Sequence, residues 1–153
     1  MRNFTCALII LGFSSLPVPA ADVSGTYTYF PVHGTTLREI ERQLKTHGPR
    51  IESTGQRHPG ATNMKFTVQV EHTRSGKRCR VTKAHVTVEA EVTLPEWRDR
   101  ARADQDVRLI WDTLARDIKR HEGSHLIIAK NHARLLEDTL EELIEAAPCK
   151  RAA

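Results

Sequence analysis

Val86-Thr87-Val88-Glu89-Ala90-Glu91-Val92-Thr93-Leu94 alternates without a fault: Val86, Val88, Ala90, Val92 and Leu94 fall on one face, and His85, Thr87, Glu89, Glu91 and Thr93 on the other. A period of two with one apolar side predicts a strand whose apolar face lies on a core. Leu94-Pro95-Glu96-Trp97 closes the alternation. From about Asp104 to Ala147 the apolar residues recur at helical spacing instead, until Pro148 stops them. A strand followed directly by a long amphipathic helix predicts a sheet packed on that helix.

Upstream, Phe66, Val68 and Val70 alternate with Thr67, Gln69 and Glu71, which predicts a second half-buried strand. Arg74 to Arg78, around Ser75-Gly76, makes the turn between the two, so they form an antiparallel hairpin. Tyr27-Thr28-Tyr29-Phe30-Pro31-Val32 is rich in strand formers, and Pro31 pushes that first strand to a sheet edge. Thr36-Leu37-Arg38-Glu39 has the spacing of a capping box, with Leu37, Ile40 and Leu44 following at helical intervals until His47-Gly48-Pro49 ends the helix. Arg50 to Thr62, with Gly55, Pro59 and Gly60, is a loop. The fold class expected is α+β: a small antiparallel sheet against an N-terminal helix and long C-terminal helices. A helix unbroken from Asp104 to Ala147 would reach about 65 Å, against roughly 35 to 40 Å for a compact domain of this length, so a bend or break is expected within it.

Arg2, the apolar run from Thr5 to Phe13 and the small residues Val18 and Ala20 have the layout of a secretory leader, cleaved after Ala20 or, second, after Ala21. The apolar run is too short to span a bilayer, so no membrane partner is expected after cleavage. Residues 21–153 then form one domain, in a secreted or periplasmic setting. Cys6 leaves with the leader, and Cys79 and Cys149 remain as an even pair in an oxidising compartment, which predicts a disulfide. The net charge of +4 is spread along the chain apart from a cluster at Arg74, Lys77, Arg78 and Arg80, which reads as a solvated turn. With aromatic content of 5%, a base-stacking surface is not expected, and nucleic acid is excluded as a partner.

His121-Glu122-Gly123-Ser124-His125 matches the zincin signature H-E-x-x-H. Residues four apart share a helix face, so the two imidazoles can hold one zinc ion while Glu122 serves as general base toward an activated water. The pattern arises by chance in roughly 3% of chains of this composition, so its surroundings have to carry the argument. Trp111, Leu114, Ile118, His121, His125, Ile128, His132 and Leu135 fall at alternating steps of three and four, which places three histidines on the stripe expected to face the core. Imidazoles on a buried stripe need partners, and a metal satisfies several together. The third ligand is less well defined. His132 is first in rank, but it lies seven residues past His125, about 10.5 Å along a straight helix, and joins only if the helix breaks. The metzincin pattern is rejected, because Ile128 stands where its glycine should be. Glu137, Glu141, Glu142 and Glu145, the gluzincin-like choices, have the same axial difficulty; the upstream donors are His85, Glu89, Glu91, His33, His47, His58 and His72.

Most of residues 21–153 resembles the DUF922 family, described as predicted secreted zinc-dependent proteases. The resemblance runs through Tyr29-Phe30-Pro31-Val32-His33-Gly34-Thr35-Thr36, Gly48-Pro49, the strand pair containing Cys79, Leu94-Pro95-Glu96-Trp97, Trp111, the His121 to His125 motif, Ile128-Ala129 and Ala133-Arg134. It implies His121 and His125 as metal ligands and Glu122 as base. The family's second variable motif position is usually Gly, whereas here Gly123 comes first and Ser124 second, which leaves the three chemical residues intact. Zinc is the expected cofactor and a peptide or protein the expected substrate, aligned along the strand Val86 to Leu94. The rival expectations are a non-catalytic exported binding or structural module with a closed zinc site, and a hydrolase of a non-peptide amide.

Overall fold

The computed structural model describes residues 21–76 and 78–142. In chain order these form β1 (Asp22–Val32), α1 (Leu37–His47), β2 (Ala61–Ser75), β3 (Arg78–Trp97), a short 3-10 turn at Arg100–Arg102, and α2 (Gln105–Glu142). The expected leader at 1–20, Glu145 and Cys149, one half of the expected bridge, lie outside the described residues.

α1 starts where its capping box predicts. The Glu39 N–H donates to Thr36 Oγ1, and the Glu39 carboxylate accepts the N–H groups of Thr35 and Thr36 at 2.9 and 3.1 Å. Ile40 and Leu44 then enter a core with Val32, Trp97 and Trp111. The helix ends at Gly48, where a Cβ would lie 2.1 Å from the carbonyl oxygen of His58. Only a residue without a side chain lets the following loop fold back this closely on the helix end.

The sheet order is β1-β3-β2. β2 and β3 pair antiparallel from Ala61↔Thr93 to Ser75↔Arg78, which is the expected hairpin, with one irregularity between Glu71 and His72. β1 pairs parallel with β3 from Asp22↔Thr87 to Val32↔Trp97, so the sheet is mixed and the expectation of an antiparallel sheet is corrected. The reason is topological. β1 and the start of β2 meet the same end of β3, and β3 inserts between them, so it returns in the direction of β1. Alternation along a strand carries no information on the direction of a partner distant in the chain.

α2 runs along β3 in the opposite sense and does so without a break. Near its start Trp111 meets Trp97, the ring centroids 5.4 Å apart. Ile118 and Leu126 pack on Val92 and Leu94, and Ala129 and Ala133 on Val86 and Val88. Toward its end Glu137 and Glu141 accept the N–H groups of Val86 and Ala84 at 2.7 and 2.9 Å, closing the edge of β3 that β1 does not reach. Among the described residues the helix is therefore unbroken. The expectation of a break rested on a rounded domain, whereas β3 from Ala84 to Trp97 offers α2 a long extended bed, which it follows from Trp111 to Glu141.

The buried stripe of α2 is also not the expected one. Trp111, Ala115, Ile118, Glu122, Leu126, Ala129, Ala133 and Glu137 face the sheet, while His121 and His132 are exposed and His125 is half-buried on the flank. From Ile118, steps of three and of four lead to His121 and Glu122 respectively, and apolarity favours the histidine. The fold takes the glutamates because each has a hydrogen-bond donor waiting in the sheet, and because Ala129 and Ala133 let helix and sheet approach closely.

α2 leans toward β1. Leu126 Cδ2 lies 3.1 Å from where a Cβ on Gly25 would be, Lys119 Nζ sits 5.9 Å from the Tyr27 ring centroid, and Ala21 joins Ala129 and Ala133. Beyond Thr62, the helix-side face of β2 is left largely uncovered. Phe66 and Val68 stand opposite Val88 and Val86 on that face, yet they are exposed, as are Met64 and Val70. The strand expected to be half-buried is thus an open apolar shelf beside the histidine-bearing flank of α2. Among the described residues, no helix is long and apolar enough to cross a membrane.

Candidate metal centre

The H-E-x-x-H residues occupy the middle of α2, where helical spacing brings His121 and His125 together on the flank toward β2. Their rings meet edge to face, with centroids 5.0 Å apart. Two imidazoles on one tetrahedral ion, each ring centre about 3.2 Å from it, would lie about 5 Å apart, so the pair already has the separation a shared zinc requires.

Glu122 lies one residue round the helix, 6% exposed and turned to the start of β2. Thr62 Oγ1 donates to its Oε2 at 2.8 Å and lies 3.3 Å from its backbone carbonyl oxygen, which fixes the carboxylate against the strand. The close approach depends on Gly60. A Cβ there would stand 2.7 Å from Ile118 Cγ2 and 3.1 Å from Glu122 Oε1. Between the loop and α2 opens a cleft of about 290 Å³ whose lining includes His58, Gly60, Asp117, His121 and Glu122.

His58 reaches this cleft from the loop that precedes β2. Its N–H donates to the Pro49 carbonyl at 2.9 Å, and the neighbouring Arg57 guanidinium donates to the Gly48 carbonyl at 2.7 Å, so the backbone on both sides is anchored to the end of α1. Its Nε2 is shut off from solvent and has no hydrogen-bond partner. On the helix, Ser124 Oγ donates back to the His121 carbonyl at 2.6 Å, which occupies the hydroxyl within α2.

The other sequence candidates are dispersed. With α2 unbroken, His132 stays about 10.5 Å along the axis from His125, and the break its participation requires does not occur. Glu137 and Glu141 are committed to β3 amides, and Glu137 lies about 24 Å along the helix from His121. Glu142 is exposed at the far end of the helix. His85 stands between Asp22 and Glu137, at 3.4 and 3.5 Å. Glu89 pairs with Lys65 at 3.6 Å, and by strand alternation both Glu89 and Glu91 lie on the sheet face away from α2. His33 sits by Asp99, His47 by Thr46, and His72 is exposed on β2. Among the described residues, no three ligand-type side chains are already grouped closely enough to hold a metal. Thr62 and Gly60 carry no signal in the sequence that ties them to Glu122, since their role exists only once the strand lies across the helix.

A family model described as "Bacterial protein of unknown function (DUF922)" matches residues 27–153. No curated protein and no solved structure matches the chain.

Proposed function

The chain belongs to the DUF922 family of bacterial proteins, and from the geometry of its motif we propose that it is an exported zinc-dependent metallohydrolase, a peptidase in its simplest form. His121 and His125 are the zinc ligands and Glu122 is the general base. The observation that carries this reading is the pair of imidazoles 5.0 Å apart, of which His121 lines the same cleft as the buried Glu122.

Zinc bound by such a pair supplies Lewis acidity, lowering the pKa of water toward neutrality and polarising a carbonyl. The protein's own share is orientation and proton handling. Thr62 holds Glu122 Oε2 by a 2.8 Å hydrogen bond, leaving Oε1 to take a proton in the cleft and return it to the leaving group. Burial between helix and strand keeps that carboxylate in one position and strengthens its field on a reacting atom.

A ledge for an extended substrate is β2. The expected strand, Val86 to Leu94, is central and has a neighbour on both sides, so it has no free edge, and that expectation is corrected. β2 has β3 on one side alone among the described residues. It begins at the cleft, and its uncovered Met64, Phe66, Val68 and Val70 suit a substrate with apolar side chains. The open cleft also favours an enzyme over a structural module, whose zinc would be closed by four protein ligands.

Two measurements test the proposal. The exported protein should hold stoichiometric zinc that His121→Ala removes. Glu122→Gln should keep the zinc and lose hydrolysis across a broad peptide screen by on the order of 100-fold or more. Metal content unaffected by His121→Ala sinks the zinc assignment, and full activity in Glu122→Gln sinks the base.

A further inference from the structure

We infer that His58 is the third protein ligand of the zinc, an inference that rests on the proposed metallohydrolase reading. An open catalytic zinc site takes three protein donors and keeps a fourth position for water or substrate, so His121 and His125 need one more. The unbroken course of α2 removes the described donors downstream, His132, Glu137, Glu141 and Glu142. They are spread along one helix and cannot converge on His125. Among the upstream donors, His85, Glu89 and His33 have ionic partners elsewhere, and Glu91 lies on the far face of the sheet. His58 alone among the histidines outside α2 lines the cleft that His121 and Glu122 line.

A second observation points the same way. His58 Nε2 is buried with nothing to bond to, and an imidazole nitrogen removed from water without a partner is unfavourable unless something binds it there. The loop presents this nitrogen from a fixed backbone, anchored by the His58 N–H to Pro49 and packed against a glycine that admits no side chain. Among the described residues no three donors are yet grouped at coordinating distance, so ligation by His58 requires its ring to turn toward the α2 pair.

The test uses the mature chain with zinc and with cobalt(II) as a spectroscopic stand-in. His58→Ala should weaken zinc binding by more than about 100-fold, beyond what loss of a residue merely orienting a ligand would cause, whereas His132→Ala should leave it unchanged. His58→Cys should restore binding and add a thiolate-to-cobalt charge-transfer band. If the wild type holds zinc but His58→Ala keeps its affinity and its cobalt spectrum, or folded His58→Cys shows no new band, His58 is not a ligand and the metallohydrolase reading stands without it. If the wild type holds no zinc, both fall. Should the variants fail to fold by circular dichroism, cadmium-substituted wild-type protein decides: scalar coupling from the metal to the His58 ring supports the assignment, and coupling to His121 and His125 without His58 overturns it.

Discussion

Thr62→Val replaces a hydroxyl by a methyl at nearly constant volume, so it isolates the hydrogen bond that holds Glu122. In the wild type that bond is 2.8 Å long and ends on a carboxylate that is 6% exposed. A bond to a charged group whose partner is left behind is worth about 1.5–3 kcal/mol. Because Glu122 also borders a cleft that water enters, the lower part of that range, about 1.5–2 kcal/mol, is the expected loss. For a domain of this size each kcal/mol moves the melting temperature by about 3–4 °C, so Thr62→Val should melt about 5–8 °C below the wild type. Thr62→Ser keeps the hydroxyl and gives up one methyl, at most about 0.8 kcal/mol, and should lie close to the wild type. Pairing Thr62→Val with Glu122→Met, which removes the carboxylate as well, should be no less stable than Thr62→Val alone, since no buried charge is then stranded. Thermal denaturation followed by circular dichroism on metal-free protein reads all four. A Thr62→Val melting temperature within about 1 °C of wild type, or a Thr62→Ser loss equal to that of Thr62→Val, would refute the role given to this bond.

Gly60→Ala places a methyl 2.7 Å from Ile118 Cγ2, and the resulting overpacking should cost about 1–3 kcal/mol in thermal stability and lower activity with it; an unchanged melting curve would show that the strand can lift freely off the helix. The Asp99 carboxyl is held below its usual 3.8 first by the Gly34 N–H, then by Arg102. A carboxylate with a depressed folded pKa stabilises the fold above its unfolded pKa, and that contribution fades as pH falls through the folded value. Asp99→Asn should therefore flatten the loss of stability below about pH 4, and acid unfolding identical to the wild type would discount this corner. Peptide mapping without reduction should join the Cys79 peptide to that of Cys149, closing a loop of about 70 residues worth on the order of 4 kcal/mol; recovery of both cysteines alkylated would remove the bridge from the account.

The local elements were legible because short-range rules decide them. The α1 capping box, the turn at Ser75-Gly76 and the alternation from Val86 to Leu94 each need only neighbours a few residues away. Pro31 likewise marked β1 as an edge strand, and the sheet places it there. Ambiguity began where a choice depended on a distant surface. The steps of three and four after Ile118 allow either His121 or Glu122 to face inward, and a reading that rewards apolarity picks the histidine. The donors that make Glu122 and Glu137 acceptable inside, the Thr62 hydroxyl and the Val86 N–H, belong to strands 60 and 51 residues away.

What the sequence determined by itself is the pairing of His121 with His125, because four residues of helix bring two side chains to one face whatever lies beyond. It also determined that Glu122 stands beside them. Only the tertiary structure decided which way that helix is turned, that it runs unbroken through the described residues, and which residues from elsewhere line the cleft at its flank. A 20-residue central strand supports a 38-residue helix along its length, which leaves His132 out of reach. The loop folded against Gly48 sets His58 in the cleft that His121 and Glu122 line, a residue more than 60 positions before the motif whose place depends on contacts that no local pattern encodes.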